Sequence, residues 1–395
     1  MKPTYDACVG VISDLPFDAR VWKEVRSLSA AGYSVKLTGC RYDIEAVKRR
    51  SEGGVDVVEF PFGWRDRPKS SRTRLGAVAR VWREIVMTRA RLYHAHNVHT
   101  IIPALVASRL RSAKLVYDAH ELYGVADSDG IRGRILAAVS YLFERLAVRS
   151  ADVVFTTNQS RAEILERRHG RADIDLLANV PPLHAHVEPI DPGFPDAPVI
   201  LYQGWIAPDT RAFRETVRAL RLLPHCHFVI LGFGFEARRE KIRRWAVEEG
   251  VGDRVHFLPP RPFDELVRTA AAATVGLVPI KPLNLNQVTG DTNKLHEYLM
   301  AGLPVVASDL PEIARVVRTG NPAVGETFNP LSPESIAAAV SRVIDDPAEY
   351  ALRRSEARRV AVEQFNWGIE EHHLLNRYRS LLGSATPSRA KEATA

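Results

Sequence analysis

Short apolar runs recur along the chain, and stretches with apolar residues at helical spacing fill the gaps between them. Residues 7–13, 34–40, 55–62, 92–96, 115–120 and 153–158 are runs dominated by Val, Ile, Leu and small residues. Near-continuous runs of this length suit strands covered on both faces, as in a parallel sheet. Between them, residues 19–31 form an amphipathic pattern closed by Gly32, and residues 131–149 form another. This strand–helix series predicts an α/β fold with a doubly wound sheet.

Residues 181–198 break the pattern with six prolines in eighteen positions, which excludes a helix or a central strand. The alternation then restarts, with strand-like runs at 199–202, 227–231, 255–258, 275–279 and 305–308. The expected organisation is a Rossmann-like domain over 1–180, a Pro-rich linker over 181–198 and a second Rossmann-like domain over 199–368. A helix at 369–382 is expected to cross back to the first domain, and a small, polar, disordered tail to fill 383–395. Open parallel sheets bind ligands at their carboxyl edges, so two such domains predict a central cleft with a donor on one side and an acceptor on the other.

Composition narrows the class. The 395 residues are 46% hydrophobic and 26% charged, as in a globular protein with real cores. No run of eighteen uncharged apolar residues and no secretion-signal pattern is present. Cys8, Cys40 and Cys226 are few, odd in number and far apart, which predicts buried free thiols and a cytoplasmic protein. A net charge of +7 suits a phosphorylated small molecule, an anionic membrane or nucleic acid. Nothing resembles a zinc finger or an RNA-binding strand, so no nucleic-acid partner is expected. In residues 72–91, Leu75, Val78, Trp82, Ile85 and Val86 recur at helical spacing among six arginines. Two readings stay open there: a peripheral contact with the inner membrane face, or a helix docking its stripe on the first sheet.

The segment from Asp291 to Ala307 carries the sharpest chemistry. Asp291 or Thr292 can cap a helix, Asn293 and Lys294 open it, and Gly302 ends it before a buried strand. The helix N-terminus and Lys294 together make a seat for a diphosphate. Glu297, three residues on and on the same side, can accept hydrogen bonds from ribose hydroxyls. Gly232, Gly234 and Ala237 fit the dinucleotide fingerprint in form, a weak match because it opens the second unit of the second domain.

With these residues in place, the chain resembles the GT4 family of retaining GT-B glycosyltransferases from about Val9 to Tyr378. The matching pieces are Asp18-Ala19-Arg20-Val21 with Glu24, His94-Ala95-His96-Asn97, Val116 to Leu122, Ala151-Asp152-Val153, Asn179-Val180-Pro181, Gly232-Phe233-Gly234, the block from Asn293 to Ala307, and Phe365-Asn366-Trp367. The resemblance implies a GT-B fold, retention of anomeric configuration and no metal. It makes Glu297 the ribose ligand, Arg211 a cation on the donor diphosphate, and His120 a contact to the transferred sugar. Gly204, Trp205, Gly232 and Gly234 then line the donor, with Val255 and His256 on the strand beside the base. Asp14, Asp18, Arg20, His96, Asn97 and Glu121 fall at or after strand ends and are acceptor candidates; Asp18 and Arg20 can equally cap or brace the first helix. Two positions depart from the family: Thr289 stands eight residues before Glu297, where a second glutamate is common, and Trp205 stands where an arginine often follows the glycine. His94 and His96 share a strand face and His184 and His186 recur in the linker, but neither pair has a third ligand at diagnostic spacing, so no metal is expected.

The expected activity is metal-independent transfer of a hexosyl group from a nucleotide diphosphate sugar to a small-molecule, lipid or glycan acceptor. The alternatives are a non-catalytic GT-B partner that binds nucleotide, a sugar-nucleotide epimerase, and an oxidoreductase resting on the Gly232 motif alone.

Overall fold

The computed structural model describes residues 4–63, 71–124 and 130–383. The expected disordered tail, beyond Gly383, lies outside the described residues. Two compact units divide the chain: unit 1 is Met1–Ala178 with Glu370–Ala395, and unit 2 is Asn179–Ile369.

Unit 1 holds β1 (Tyr5–Asp14), β2 (Val35–Arg41), β3 (Lys48–Glu52), β4 (Val55–Pro61), β5 (Ala90–His96), β6 (Lys114–Ala119), β7 (Val153–Thr156) and β8 (Ile174–Leu176). Their order is β3-β4-β2-β1-β5-β6-β7-β8, parallel except for the β3–β4 hairpin. Helices α1 (Ala19–Ala30), α2 (Ser71–Met87), α3 (Ile101–Arg111), α4 (Ile131–Ser150) and α5 (Gln159–His169) connect them. The arginine-rich segment at 72–91 is thus α2, and it docks: Ala77, Val81 and Ile85 are buried. Gly10 in β1 makes the room, since a Cβ there would stand 2.5 Å from Ile85 Cδ1. Of the five stripe residues Ile85 is buried, Val78, Trp82 and Val86 are half-buried, and Leu75 is exposed, as is Met87.

Unit 2 holds β9 (Val199–Gln203), β10 (His227–Leu231), β11 (Val255–Leu258), β12 (Val275–Val278), β13 (Val305–Ser308) and β14 (Gly325–Phe328). They form a six-stranded sheet in the order β11-β10-β9-β12-β13-β14, with parallel neighbours throughout. Its helices are α6 (Phe213–Ala219), α7 (Glu236–Glu248), α8 (Leu266–Ala270), α9 (Leu285–Val288), α10 (Asn293–Met300), α11 (Pro311–Val317), α12 (Pro333–Ile344) and α13 (Pro347–Gln364). The last helix, α14 (Trp367–Leu382), starts in unit 2 and belongs to unit 1 from Glu370 onward. The proline-rich segment at 181–198 has no helix or strand and is fastened to unit 2. Ile190 N–H donates to Arg268 O, and Arg358 donates to the carbonyls of His184 and Ala185.

The sheet fixes α10 through Tyr298, which is fully buried beneath Gly276; a Cβ on that glycine would reach its ring at 2.3 Å. The Tyr298 hydroxyl accepts from Gln203 N–H at 2.9 Å and donates to Leu201 O at 3.1 Å. One aromatic residue thereby locks α10 to the carboxyl end of β9.

Candidate active site

In unit 2 the carboxyl ends of β9 and β10 meet the start of α10. Thr292 is the N-cap, but its side chain makes no cap bond; its Oγ1 instead accepts from Lys294 Nζ at 2.9 Å. The N-terminal end of a helix favours anions, and the Thr292 side chain does not cap this one. Lys294 Nζ lies over the Tyr202 ring, 5.3 Å from its centroid, a placement that favours a cation. Burial, and then the repelling charge of Arg211, push the Lys294 ammonium down to about 7. Arg211 is held by the carbonyl and hydroxyl of Thr210, and its Nε is buried without a hydrogen-bond partner. Two neighbouring cations are thus gathered before an anion is bound. One turn on, Glu297 is buried and accepts from Gln203 Nε2 at 2.5 Å. Gln203 ends an apolar strand, a signal the sequence reading passed over.

Several expected donor residues do other work. A Cβ on Gly232 (φ +157°) would lie 1.9 Å from Gly204 O, and one on Gly234 would lie 2.8 Å from Ile206 Cβ. Gly232 therefore lets two loops of the protein pack backbone to backbone, and Gly234 lets the second pack on Ile206. Val255 and His256 open β11, paired with Phe228 and Val229, so they sit three and two residues back from Leu258 at the carboxyl end. At about 3.3 Å per residue that is up to ~10 Å from the binding edge. His256 is moreover stacked on His227, with Nε2 2.8 Å from its Nδ1. Both residues lie on β11, the strand expected there, at its start. Trp205, in the place of the family's arginine, is exposed and packs on Phe233 and Phe235, with Arg238 over its ring at 5.3 Å. Thr289 donates its hydroxyl to Leu285 O, and Asp291 Oδ2 lies 3.4 Å from His296 Nε2.

Unit 1 gathers its polar residues around His120. Arg20 from α1 grips Asp118 of β6 through two bonds, Nε to Oδ2 at 2.8 Å and Nη2 to Oδ1 at 2.9 Å. His120 Nε2 is 2.9 Å from Asp118 Oδ2 and 3.0 Å from His96 Nδ1. Burial would raise the Asp118 carboxyl, but the charge of Arg20 and the hydrogen bond from His120 outweigh it and hold it well below the carboxylate range. An ionised carboxylate only accepts, so Nε2 of His120 carries the hydrogen and Nδ1 presents a lone pair. The backbone of His120 is fixed as well. Its N–H donates to Asn97 Oδ1 at 3.2 Å, and its carbonyl accepts from Arg161 of α5. Asn97 has φ 59° and ψ 174°, a region that costs a non-glycine residue about 1–3 kcal/mol.

This placement revises the acceptor set. Arg20 and His96 are 3% and 0% exposed, so they back His120 instead of facing a ligand. Asp18 is the N-cap of α1, accepting from Val21 N–H and from Ser13 Oγ. Asp14 accepts from Tyr42 N–H, and Glu121 is exposed. The argument against a metal also changes. Ligand atoms of Glu24, His94, His96 and Asp118 lie within 4.8 Å of one another, so further ligands do exist, supplied from α1 and β6. Yet Arg20, with Nε 3.1 Å from Glu24 Oε1, already brings a fixed positive charge to both carboxylates. The His94 and His96 rings stack at 20°, so their lone pairs run side by side instead of converging. Burial, followed by the Asp118 charge, holds Glu24 well above the carboxylate range, while burial pushes His94 down to about 4 and His96 well below its usual value. Burial thus works against the charged forms of Glu24, His94 and His96, around the Arg20–Asp118 ion pair.

Two family models match the chain: Glycosyl transferase 4-like domain over residues 18–180 and Glycosyl transferases group 1 over residues 197–346. The chain belongs to the group 1, GT4-type glycosyltransferases. Among curated relatives it is 29% identical over 304 residues to a D-inositol 3-phosphate glycosyltransferase of Nocardia farcinica, covering 70% of this chain and 63% of the relative. A Rhodococcus opacus protein of the same name is 26% identical over 348 residues, covering 82% and 75%. The match thus spans less than two thirds of the Nocardia protein's own length. Among solved structures, sucrose-phosphate synthase from Thermosynechococcus elongatus superposes with a TM-score of 0.75 at 19% identity, covering 95% of this chain and 99% of that one. The Anabaena protein HepE, solved with UDP-glucose, gives 0.69 at 17% identity, covering 95% and 100%. These likenesses show the GT-B fold of this glycosyltransferase.

Proposed function

We propose that this protein is a retaining, metal-independent glycosyltransferase that moves a hexosyl group from a uridine diphosphate sugar to an acceptor hydroxyl. The observation that carries the reading is the pair of basic side chains, Arg211 and Lys294, at the N-terminus of α10, with the Gln203–Glu297 pair one turn further on. The cations and the helix end hold the diphosphate and stabilise the charge that grows on it as the sugar departs. Glu297, oriented by Gln203, accepts from the ribose hydroxyls. The acceptor attacks from the face the diphosphate leaves, and the leaving phosphate takes its proton. The lone pair of His120 Nδ1, aimed by Asp118, accepts from a sugar hydroxyl. The choice of uridine rests on HepE and on the Escherichia coli trehalose-6-phosphate protein bound to UDP-2-fluoro glucose, which matches with a TM-score of 0.66 at 12% identity. Calorimetric titration of UDP, GDP and ADP tests the assignment. UDP is expected to bind, and Lys294→Ala to weaken it by about tenfold to hundredfold, the worth of a charged hydrogen bond. Binding of UDP that is indifferent to Lys294→Ala and to Glu297→Ala puts the site elsewhere.

A further inference from the structure

Helix α4 is built the wrong way out for a helix surrounded by water. A surface helix turns its apolar stripe to the core and its charges to solvent. In α4 the inward side carries Glu144, fully buried, where it accepts from Tyr123 N–H at 2.8 Å and contacts His169 Nε2 at 2.9 Å. The outward side carries Ile131, Ile135, Val139, Leu142 and Leu146, all exposed, Ile131 by 77%. At 3.6 residues per turn these five fall within about 80° of arc, along a helix ~30 Å long. Leu136, 68% exposed, borders the arc on one side. Exposed Arg134 and Arg145 border it on the other, and exposed Arg149 stands at its end. Glu144 is the sole acidic residue of the helix, so the exposed face is apolar and cationic without a carboxylate. Beside it lies an open groove of about 450 Å³ whose lining includes Gly124, Arg134, Tyr141 and Leu142.

We propose that α4 lies on an anionic lipid bilayer, its five-residue ridge among the acyl chains and its arginines at the lipid phosphates. The charge pattern chooses the bilayer over a second copy of the chain. A two-fold contact through this face would set the arginines against their own counterparts, whereas an anionic surface takes up the ridge and the arginines together. No helix among the described residues is long and apolar enough to cross a membrane, so the contact is peripheral. The inference stands independently of the nucleotide site.

Flotation of the full chain with vesicles decides it, using phosphatidylcholine alone and phosphatidylcholine mixed with phosphatidylglycerol. The protein is expected to float with the anionic vesicles and to remain below with the neutral ones. Ile135→Glu with Leu142→Glu should lower the bound fraction at least tenfold, and Arg134→Glu with Arg145→Glu should do the same at low salt. All four positions are exposed, and an unchanged melting temperature in each variant verifies that the fold is intact. Failure of the parent protein to float with anionic vesicles overturns the proposal, as does flotation that ignores both pairs of substitutions. Light scattering that shows a dimer dispersed by the Ile135→Glu, Leu142→Glu pair, without vesicle binding, assigns the face to a second copy instead.

Discussion

At the scale of single residues, buried charge is the dominant theme. Arg20 and Asp118 are worth keeping only as a pair, because removing one strands the other in a nearly dry interior. Arg20→Met should therefore destabilise unit 1 by about 3–5 kcal/mol, measurable by urea denaturation. Asn97→Gly separates strain from function. It relieves the costly backbone conformation but removes the acceptor of the His120 N–H, so stability should hold or rise while kcat falls. Lys294 gives a signed pH effect. With its folded-state value at about 7, below the unfolded 10.5, the unfolded chain holds the proton that the folded chain releases, and stability rises with pH between those values. A bound diphosphate favours the charged form, so UDP binding takes up a proton and its affinity falls by about tenfold per pH unit above 7. Titration in two buffers of different ionisation heat checks the uptake. Lys294 and Glu297 were candidates from type and position, and Arg211 and His120 from the family resemblance. Asp118 and Gln203 were not singled out, although a polar residue inside an apolar strand run is itself the mark of a buried partner.

At the scale of elements, legibility followed burial. Strands covered on both faces, such as β2, β10 and β13, wrote continuous apolar runs into the chain. Of the four edge strands, β11 did and three did not: β3 reads Lys-Arg-Arg-Ser-Glu and pairs on one side only, and β8 and β14 are three and four residues long. Edge strands carry charge because their free side faces water, which erases the apolar signal. The glycine motif was legible as a place of close backbone approach, and the structure adds one thing it approaches, the Gly204 loop. Gly232→Ala tests the explanation. Its Cβ would collide with the Gly204 carbonyl, a backbone atom that cannot swing away, and a loss of about 3 kcal/mol or more in thermal unfolding is expected even without nucleotide. The two helices with apolar and basic residues likewise show that pattern alone does not say which way a stripe faces: α2 turns it inward and α4 outward.

At the scale of the whole molecule, the division into two α/β units was legible from the break at 181–198, and the return of the C-terminal helix to the first unit was expected as well; the side-chain contacts it makes there had to be seen in three dimensions. UDP should slow amide hydrogen exchange around Gln203–Gly204 and Thr292–Glu297, and leave the His120 cluster of unit 1 unchanged in the absence of acceptor. The path of α14 has a consequence for biosynthesis. Unit 1 is completed by residues nearly two hundred positions beyond its main body: Glu370 accepts from Ala178 N–H, Arg377 pairs with Asp175, and the Tyr378 hydroxyl meets His94 Nδ1 at 2.9 Å. A ribosome that has delivered the first 178 residues has released a sheet with His94 still lacking its hydroxyl, and must translate all of unit 2 before supplying it. The amino-terminal half is thus first to emerge and last to close.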